Sequence, residues 1–201
     1  MSVQSVLFLH GFNSHPGTFK ALVTREACSV LAPPPEFAAP LLSSSPRQAL
    51  AQAEAALLSL TGRTLVVGSS LGGFLALCLA ERHPLAAIAL LNPALDPLRF
   101  VASHMGERFD NHVTGEHIII TPELQHELQA LVPALPRHPE RIMALLGGCD
   151  EVIDHCYTRQ WLAGCSVIEC PNDDHMLLSY PHYVNSVLAH GGLDTASTTA
   201  V

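Results

Sequence analysis

A mostly parallel six-stranded sheet with helices on both faces is the fold class this sequence predicts, and three observations carry it. Short β-branched or apolar runs alternate with Ala- and Leu-rich stretches along the chain, the order expected of repeated strand–helix–strand units. The runs at Leu65-Val66-Val67 and Ile142-Met143-Ala144-Leu145-Leu146 are apolar, as in buried strands. A chain of 201 residues, 48% hydrophobic and 14% charged, provides one domain with ample core.

Each element has its own local reason. Ser5-Val6-Leu7-Phe8-Leu9 forms the heart of a strand near 3–9 that stops at His10-Gly11. A helix near 18–26 and a strand near 28–31 follow. Pro46 opens a helix over 46–60 and Gly62 stands just beyond its end, the usual asymmetry of helix boundaries. Strands are read near 64–68, 86–91, 141–146 and 166–170, with helices near 71–82, 122–131, 154–163 and 181–189. The expected organisation is one domain over 1–190, with 93–139 as a short cap inserted between the fourth and fifth strands, and a small, polar, frayed tail over 191–201.

The most informative segment is Gly68-Ser69-Ser70-Leu71-Gly72-Gly73, because of its flanks. Arg63-Thr64-Leu65-Val66-Val67 before it is strand-like, and Phe74 to Arg82 after it is helical. G-x-S-x-G between a strand and a helix is a nucleophile elbow, in which a sharp turn lifts the serine above the sheet. Such a turn needs small residues two before and two after the serine, which are Gly68 and Gly72. An ordinary Gly/Ser-rich turn is the alternative for the pattern alone.

A serine hydroxyl is inert without a base, an orienting acid and an oxyanion hole. In the α/β-hydrolase order the acid and then the histidine follow the serine, on loops after later strands. Asp150 lies on the Gly148-Cys149-Asp150-Glu151 loop after the strand at 141–146. His175 ends Pro171-Asn172-Asp173-Asp174-His175 after the strand at 166–170. Both fall just past the C-terminal end of a parallel strand, where open α/β sheets gather their ligand sites. Asp154 is a rival acid, but its place at a helix start suits a capping role. Asp173 and Asp174 could in principle orient the neighbouring His175. The backbone N–H groups of Phe12, behind Gly11, and of Leu71 are the expected oxyanion donors. His10 suits a structural hydrogen bond better than the role of base.

These residues together resemble a known family. His10-Gly11-Phe12-Asn13-Ser14-His15-Pro16-Gly17 is similar to the opening motif of the YqiA-type esterases, small bacterial α/β-hydrolases. The likeness continues through Gly68 to Gly73, Leu91-Asn92-Pro93-Ala94, Thr114 to His117, Leu124 to Leu131, Asp150 to Asp154 and Asp174-His175, covering about Val3 to Ala189. The resemblance implies a serine esterase with a triad on Ser70, Asp150 and His175, acting on short-chain acyl esters. The acid loop departs from the family pattern: Gly148-Cys149-Asp150 stands where a Thr-Gly-Asp-like sequence is expected, which bears on how Asp150 is held.

Other chemistries find less support. No H-E-x-x-H or C-x-x-C accompanies the 12 histidines, so no metal and no other cofactor is expected. Asp173-Asp174-His175 as a cation site is the weaker alternative. No Gly-Lys-Ser/Thr follows the glycines at 68–73, which excludes a P-loop. Cys149 lacks an elbow and reads as a loop residue. The formal net charge of −8 disfavours nucleic acid and anionic membranes as partners. The first apolar stretch is short and has no preceding Lys or Arg, so neither a signal peptide nor a membrane span is expected; the expected location is cytoplasmic, with six reduced cysteines. Oligomeric state has no sequence signal.

The partner expected is therefore a small-molecule ester or thioester, cleaved through an acyl-enzyme. Leu95, Leu98, Phe100, Val101, Met105 and Phe109 in the inserted segment could line its acyl pocket or form the buried face of the cap. The competing class of function is a non-catalytic α/β-hydrolase-fold binding or interaction protein, since fold alone does not give function.

Overall fold

In the computed structural model, which describes residues 3–193, the chain begins with β1 (Ser5–Leu9), α1 (Phe19–Ser29), β2 (Glu36–Ala38), α2 (Pro46–Ser59), β3 (Thr64–Ser69), α3 (Leu71–Arg82) and β4 (Ala87–Leu91). The inserted segment carries α4 (Pro97–Ser103), a hairpin of β5 (Arg108–Asp110) and β6 (His117–Ile119), and α5 (Pro122–Gln129). The chain then returns through β7 (Ile142–Gly147), α6 (His155–Trp161), β8 (Ser166–Cys170) and α7 (Val184–His190). Six strands form one parallel sheet in the order β2-β1-β3-β4-β7-β8, and β5 pairs antiparallel with β6 apart from it.

Alternation along the strands splits the core into two layers. Leu7, Leu9, Val66, Ile88, Leu90, Ala144 and Leu146 face α2 and α3, along with the apolar side of α5. Val6, Phe8, Leu65, Val67, Ala89, Leu91 and Leu145 face α1 and α7. Every residue of β1, β3 and β4 is buried, which is why these strands read as unbroken apolar runs. Each fully buried Leu, Val or Phe is worth about 1.5–3 kcal/mol relative to exposure. The outer strand β8 buries only Cys170 fully.

The strand expected near 28–31 is not there. Helix α1 continues to Ser29, and the second strand is Glu36–Ala38. Ala21, Thr24 and Cys28 recur at helical spacing on the buried face of α1, so the apolar run around Cys28 serves a helix. Three prolines at 33–35 then bar further ladder bonds until Glu36, and β2 pairs over only three residues, Ser5 to Leu7 of β1 against Glu36 to Ala38. Helix α4 and the β5–β6 hairpin are also additions to the sequence reading.

The inserted segment lies against α2. Helix α5 is capped by Thr121, whose side chain accepts the Leu124 N–H. Its Glu127 accepts from the Ser45 hydroxyl at 2.7 Å and the Arg47 N–H at 3.1 Å, tying it to the start of α2. Of the expected tail, Gly191, Gly192 and Leu193 are described: the Leu193 N–H bonds the Leu188 carbonyl at 3.0 Å and its side chain is buried. Residues 194–201 lie outside the described residues.

Candidate active site

Between β3 and α3, Ser70 adopts φ 54° and ψ −121°, a conformation that costs a non-glycine residue about 1–3 kcal/mol. The surrounding backbone fixes it. The Ser70 N–H bonds the Leu91 carbonyl at 3.0 Å, and its own carbonyl accepts from Gly73 at 2.9 Å and Ala94 at 3.0 Å. The glycines are needed because the chain passes too close for any side chain. A Cβ on Gly68 would strike the Gly72 carbonyl, and one on Gly72 would strike the Leu9 carbonyl. A Cβ on Gly11 would lie 3.0 Å from the Ser70 Cβ and 3.5 Å from its Oγ, so the loop after β1 passes directly over the serine.

Two main-chain donors flank that serine. Leu71 is the first residue of α3, where helical N–H groups have no partner within the helix. Among the described residues, neither the Leu71 N–H nor the Phe12 N–H has a hydrogen-bond acceptor. His10 is occupied elsewhere: its Nε2 accepts the Leu42 N–H at 3.0 Å, so Nδ1 carries the proton and donates to the Gly11 carbonyl at 2.9 Å. Burial holds its pKa below the ordinary value, partly offset by the bond to Gly11.

At the same edge, after β7 and β8, Asp150 and His175 meet. His175 Nδ1 lies 2.9 Å from Oδ2 and 3.1 Å from Oδ1 of Asp150. The carboxylate can only accept there, so Nδ1 carries the proton and Nε2 is left as the ring's open acceptor. The Asp150 side chain is 1% exposed and that of His175 is 18% exposed. Burial pushes the Asp150 carboxyl up, but hydrogen bonds from His155, His175 and the Ile153 N–H outweigh it and hold the group well below the usual carboxylate range.

The acid loop shows how the unusual Gly148-Cys149 sequence holds Asp150. The Gly148 N–H bonds the Cys170 carbonyl at 2.8 Å, the Cys149 N–H bonds the Asp173 carbonyl at 2.9 Å, and a Cβ on Gly148 would lie 2.6 Å from the Pro171 carbonyl. Asp150 Oδ1 then receives the N–H groups of Val152 at 2.9 Å and Ile153 at 2.8 Å. The rival carboxylates are turned away. Asp154 caps α6 through the Cys156 N–H at 3.0 Å and pairs with Arg99 at 3.3 Å. Asp173 accepts from the N–H and hydroxyl of Ser179, and Asp174 from the Met176 N–H. The Cys149 thiol donates to the Pro171 carbonyl.

Three residues that sequence reasoning assigned no part in the site hold this pair. Asn92, buried and at φ 44°, follows β4. Its Oδ1 accepts the Gly147 N–H at 2.7 Å while its Nδ2 donates to the carbonyls of Asp174 at 3.0 Å and His175 at 3.3 Å. Lys20, the only lysine of the chain, reaches from α1 to donate to the His175 carbonyl at 3.2 Å and is only 7% exposed. Burial lowers its pKa, while the charges of Asp150 and Asp174 act the other way. The third is His155, 3.2 Å from Asp150. The one available signal for Lys20 is that the chain's single lysine falls at helical spacing with Thr24 and Cys28 on the buried face of α1.

The apolar residues of the inserted segment divide. Leu95 is buried within the core layer and Met105 is 40% exposed, while Leu98 and Phe100 pack on the core surface. The Phe12 ring stands edge-on to Phe100 at 6.2 Å and to Phe109 at 5.7 Å, so the inserted segment braces the loop that carries the Phe12 N–H. A cleft of about 10 Å³, lined by Gly11, Phe12, Asn13 and Leu71 among others, opens beside these donors. A far larger cavity, about 650 Å³, lies at the other edge of the sheet, by the starts of β4 and β7; the lining of neither includes Ser70, Asp150 or His175. Among the described residues no group of three or more His, Cys, Asp or Glu side chains is arranged to hold a metal, and no helix is long and apolar enough to cross a membrane.

Known proteins share this architecture. A lipolytic enzyme from the metagenome-derived LipS and LipT pair superposes with a TM-score of 0.69 at 19% identity, covering 95% of this chain and 95% of that one. Mouse alpha/beta hydrolase domain-containing protein 10 gives 0.69 at 16% identity, over 92% of this chain and 89% of that one. Est1E from Butyrivibrio proteoclasticus gives 0.68 at 15% identity, over 95% and 86%. The fold is thus that of the α/β-hydrolases. A family model described as an uncharacterised protein family, UPF0227, matches residues 5–191.

Proposed function

The chain belongs to the UPF0227 family, and we propose that it is a serine esterase, transferring the acyl group of a short-chain ester to water through Ser70. One observation carries this reading: at the sheet edge where Ser70 is forced into a strained elbow, a buried carboxylate holds Nδ1 of His175 and leaves Nε2 as an acceptor. A base of this kind is what a serine hydroxyl needs to become a nucleophile.

In the proposed reaction His175 Nε2 takes the proton of the Ser70 hydroxyl as its oxygen attacks the ester carbonyl. Asp150 keeps the imidazole in the required tautomer and stabilises the imidazolium. The N–H groups of Phe12 and Leu71 receive the oxyanion; one such donor is commonly worth about 3 kcal/mol of barrier. His175 then protonates the leaving alcohol, and a water activated by the same ring releases the acyl group from Ser70. The chemistry calls for no cofactor. The resemblance to the YqiA-type esterases favours small acyl groups, whether on an alcohol or a thiol. Leu98, Phe100 and Phe109, on the surface of the core layer, are the acyl contacts in this reading, whereas Leu95 is buried beneath that surface.

Hydrolysis of p-nitrophenyl acetate, butyrate and decanoate by wild type and Ser70→Ala tests the proposal. The expected outcome is turnover that falls with chain length and a loss of at least about 10³-fold in kcat on removing the hydroxyl, with an unchanged circular dichroism spectrum. A Ser70→Ala protein retaining more than a few per cent of kcat would overturn it.

A further inference from the structure

His155 begins α6 and is 5% exposed. Its Nε2 stands 3.2 Å from Asp150 Oδ2 and 3.2 Å from Asn92 Oδ1. Both neighbours are acceptors. The Asp150 carboxylate has no proton to give, and the Asn92 amide is oriented by Gly147, whose N–H points at Oδ1, and by two carbonyls that require Nδ2 on the other side. His155 Nε2 must therefore carry the hydrogen that is shared between them. Among the described residues its Nδ1 is buried with no partner, which suits a bare lone pair; a second N–H there would be a buried donor with nothing to bond.

Asp150 consequently lies between two imidazoles. Oδ1 is anchored by the amides of Val152 and Ile153, while Oδ2 is shared by His155 and His175. Besides His175, no other side chain among the described residues donates to this carboxylate.

We propose that His155 is a positioning residue of the esterase site: its Nε2–H holds Asp150 Oδ2 in the orientation that receives the His175 Nδ1–H and draws off part of the carboxylate's charge. The proposal rests on the assignment of Ser70, Asp150 and His175 made above. A carboxylate that already accepts a hydrogen bond at Oδ2 attracts an adjacent proton less strongly. His155 thus sets how readily His175 gives up its proton as well as where the ring stands. The other charged groups around this cluster are Lys20 from α1, Asp174 and Glu151 from the flanking loops, and Glu169 from β8. Among the described residues none of them hydrogen-bonds to His155; Glu169 is near enough to interact with its charge but is held by Arg159 through bonds of 2.8 and 2.9 Å.

The test compares wild type with His155→Phe, which keeps a buried ring but removes the donor, and His155→Gln, whose amide can return an N–H to nearly the same place. His155→Met serves in place of the Phe variant if the larger ring prevents folding. Two readouts are taken: the acidic limb of kcat/KM, and the titration of His175 followed by NMR in protein carrying 15N-labelled histidine. Without the donor the bare carboxylate favours the imidazolium, so both midpoints should move up by about half a pH unit to one unit. The value of kcat should fall about tenfold with KM changed less than about twofold, and His155→Gln should restore the midpoint and most of kcat. Midpoints that coincide in all variants, or a Gln variant no better than Phe or Met, would overturn the proposal. The NMR titration needs no turnover, so it separates the two claims. A wild type that hydrolyses no ester defeats the esterase reading while the His175 shift still judges His155.

Discussion

The two halves of the site are built by different means. On the Ser70 side the backbone does the work: a strained residue, glycines where the chain passes too close for a side chain, and main-chain bonds from Leu91, Gly73 and Ala94. On the Asp150–His175 side the work falls to side chains reaching across the fold, with Lys20 bonding a residue 155 positions away and Asn92 linking the loops after β4, β7 and β8. A backbone-built half should tolerate almost no added atom and depend little on pH. A half built from side chains should respond to the loss of single hydrogen-bonding groups, each by its own amount.

The largest effect expected from that comparison separates two carboxylates four residues apart. Asp150→Asn removes the charge that orients His175. In a serine protease the equivalent change costs about 10⁴ in turnover, and a loss of similar order is expected here with little change in KM. Asp154→Asn, which weakens only the cap of α6 and its contact with Arg99, should cost a few-fold at most. Steady-state kinetics of the two variants ranks them; the reverse order would mean that the wrong carboxylate has been paired with the base.

Gly72→Ala tests the backbone-built half. One methyl group must displace the carbonyls of Leu9 and His10, and overpacking of a rigid site commonly costs about 1–3 kcal/mol. Urea unfolding should show a loss at or above the top of that range, together with loss of activity from a displaced Ser70. Wild-type stability in Gly72→Ala would remove the steric account of the elbow.

Asn92→Ala probes the other half at its centre. It leaves the Gly147 N–H without its acceptor and removes one of the donors to the Asp174 and His175 carbonyls, which keep the Leu177 N–H and Lys20 respectively, and an unsatisfied buried polar group costs about 1–3 kcal/mol. We expect a loss of about 1–3 kcal/mol in the same unfolding assay, with kcat reduced because Lys20 is left as the one side-chain donor holding the His175 carbonyl. If kcat is unaffected, the network braces the fold and not the base.

The smallest effect is a pH dependence at His10. Its folded pKa lies below the ordinary value because the ring is buried, so the unfolded chain takes up a proton first as the pH falls through about 6.5. The stabilisation that the neutral ring contributes is complete above that value and is lost as the pH drops toward the folded one. The destabilisation caused by His10→Asn, measured by unfolding at pH 7.5 and 5.5, should therefore be smaller at the lower pH. A penalty that stays constant or grows would contradict a neutral His10.

The same contrast explains which parts of the molecule are legible in its sequence. The elbow is legible because its steric demands are local: Gly68 and Gly72 stand two residues on either side of Ser70, between an apolar strand and a helix. Asp150 and His175 are legible by position, as residues just past parallel strands. Asn92, Lys20 and His155 are not, because their partners are brought near only by the sheet order β1-β3-β4-β7-β8. The second strand is hard to place for a related reason. Ala27 to Leu31 is as apolar as a strand, and only the helical spacing of Ala21, Thr24 and Cys28 against the core reveals α1. Three-residue strands such as β2, β5 and β6, of mixed polarity, leave almost no periodic trace.

The central claim is that Ser70 is an activated nucleophile, rather than a serine in an elbow that only shapes a binding surface. A fluorophosphonate probe reports this directly, because it forms a bond only with a serine whose proton can be removed. Wild-type protein should be labelled once, with the adduct mapped by peptide mass spectrometry to Ser70. Labelling should vanish in Ser70→Ala and slow by orders of magnitude in His175→Ala. Folded wild-type protein that stays unlabelled, or an adduct on another residue, would contradict the account.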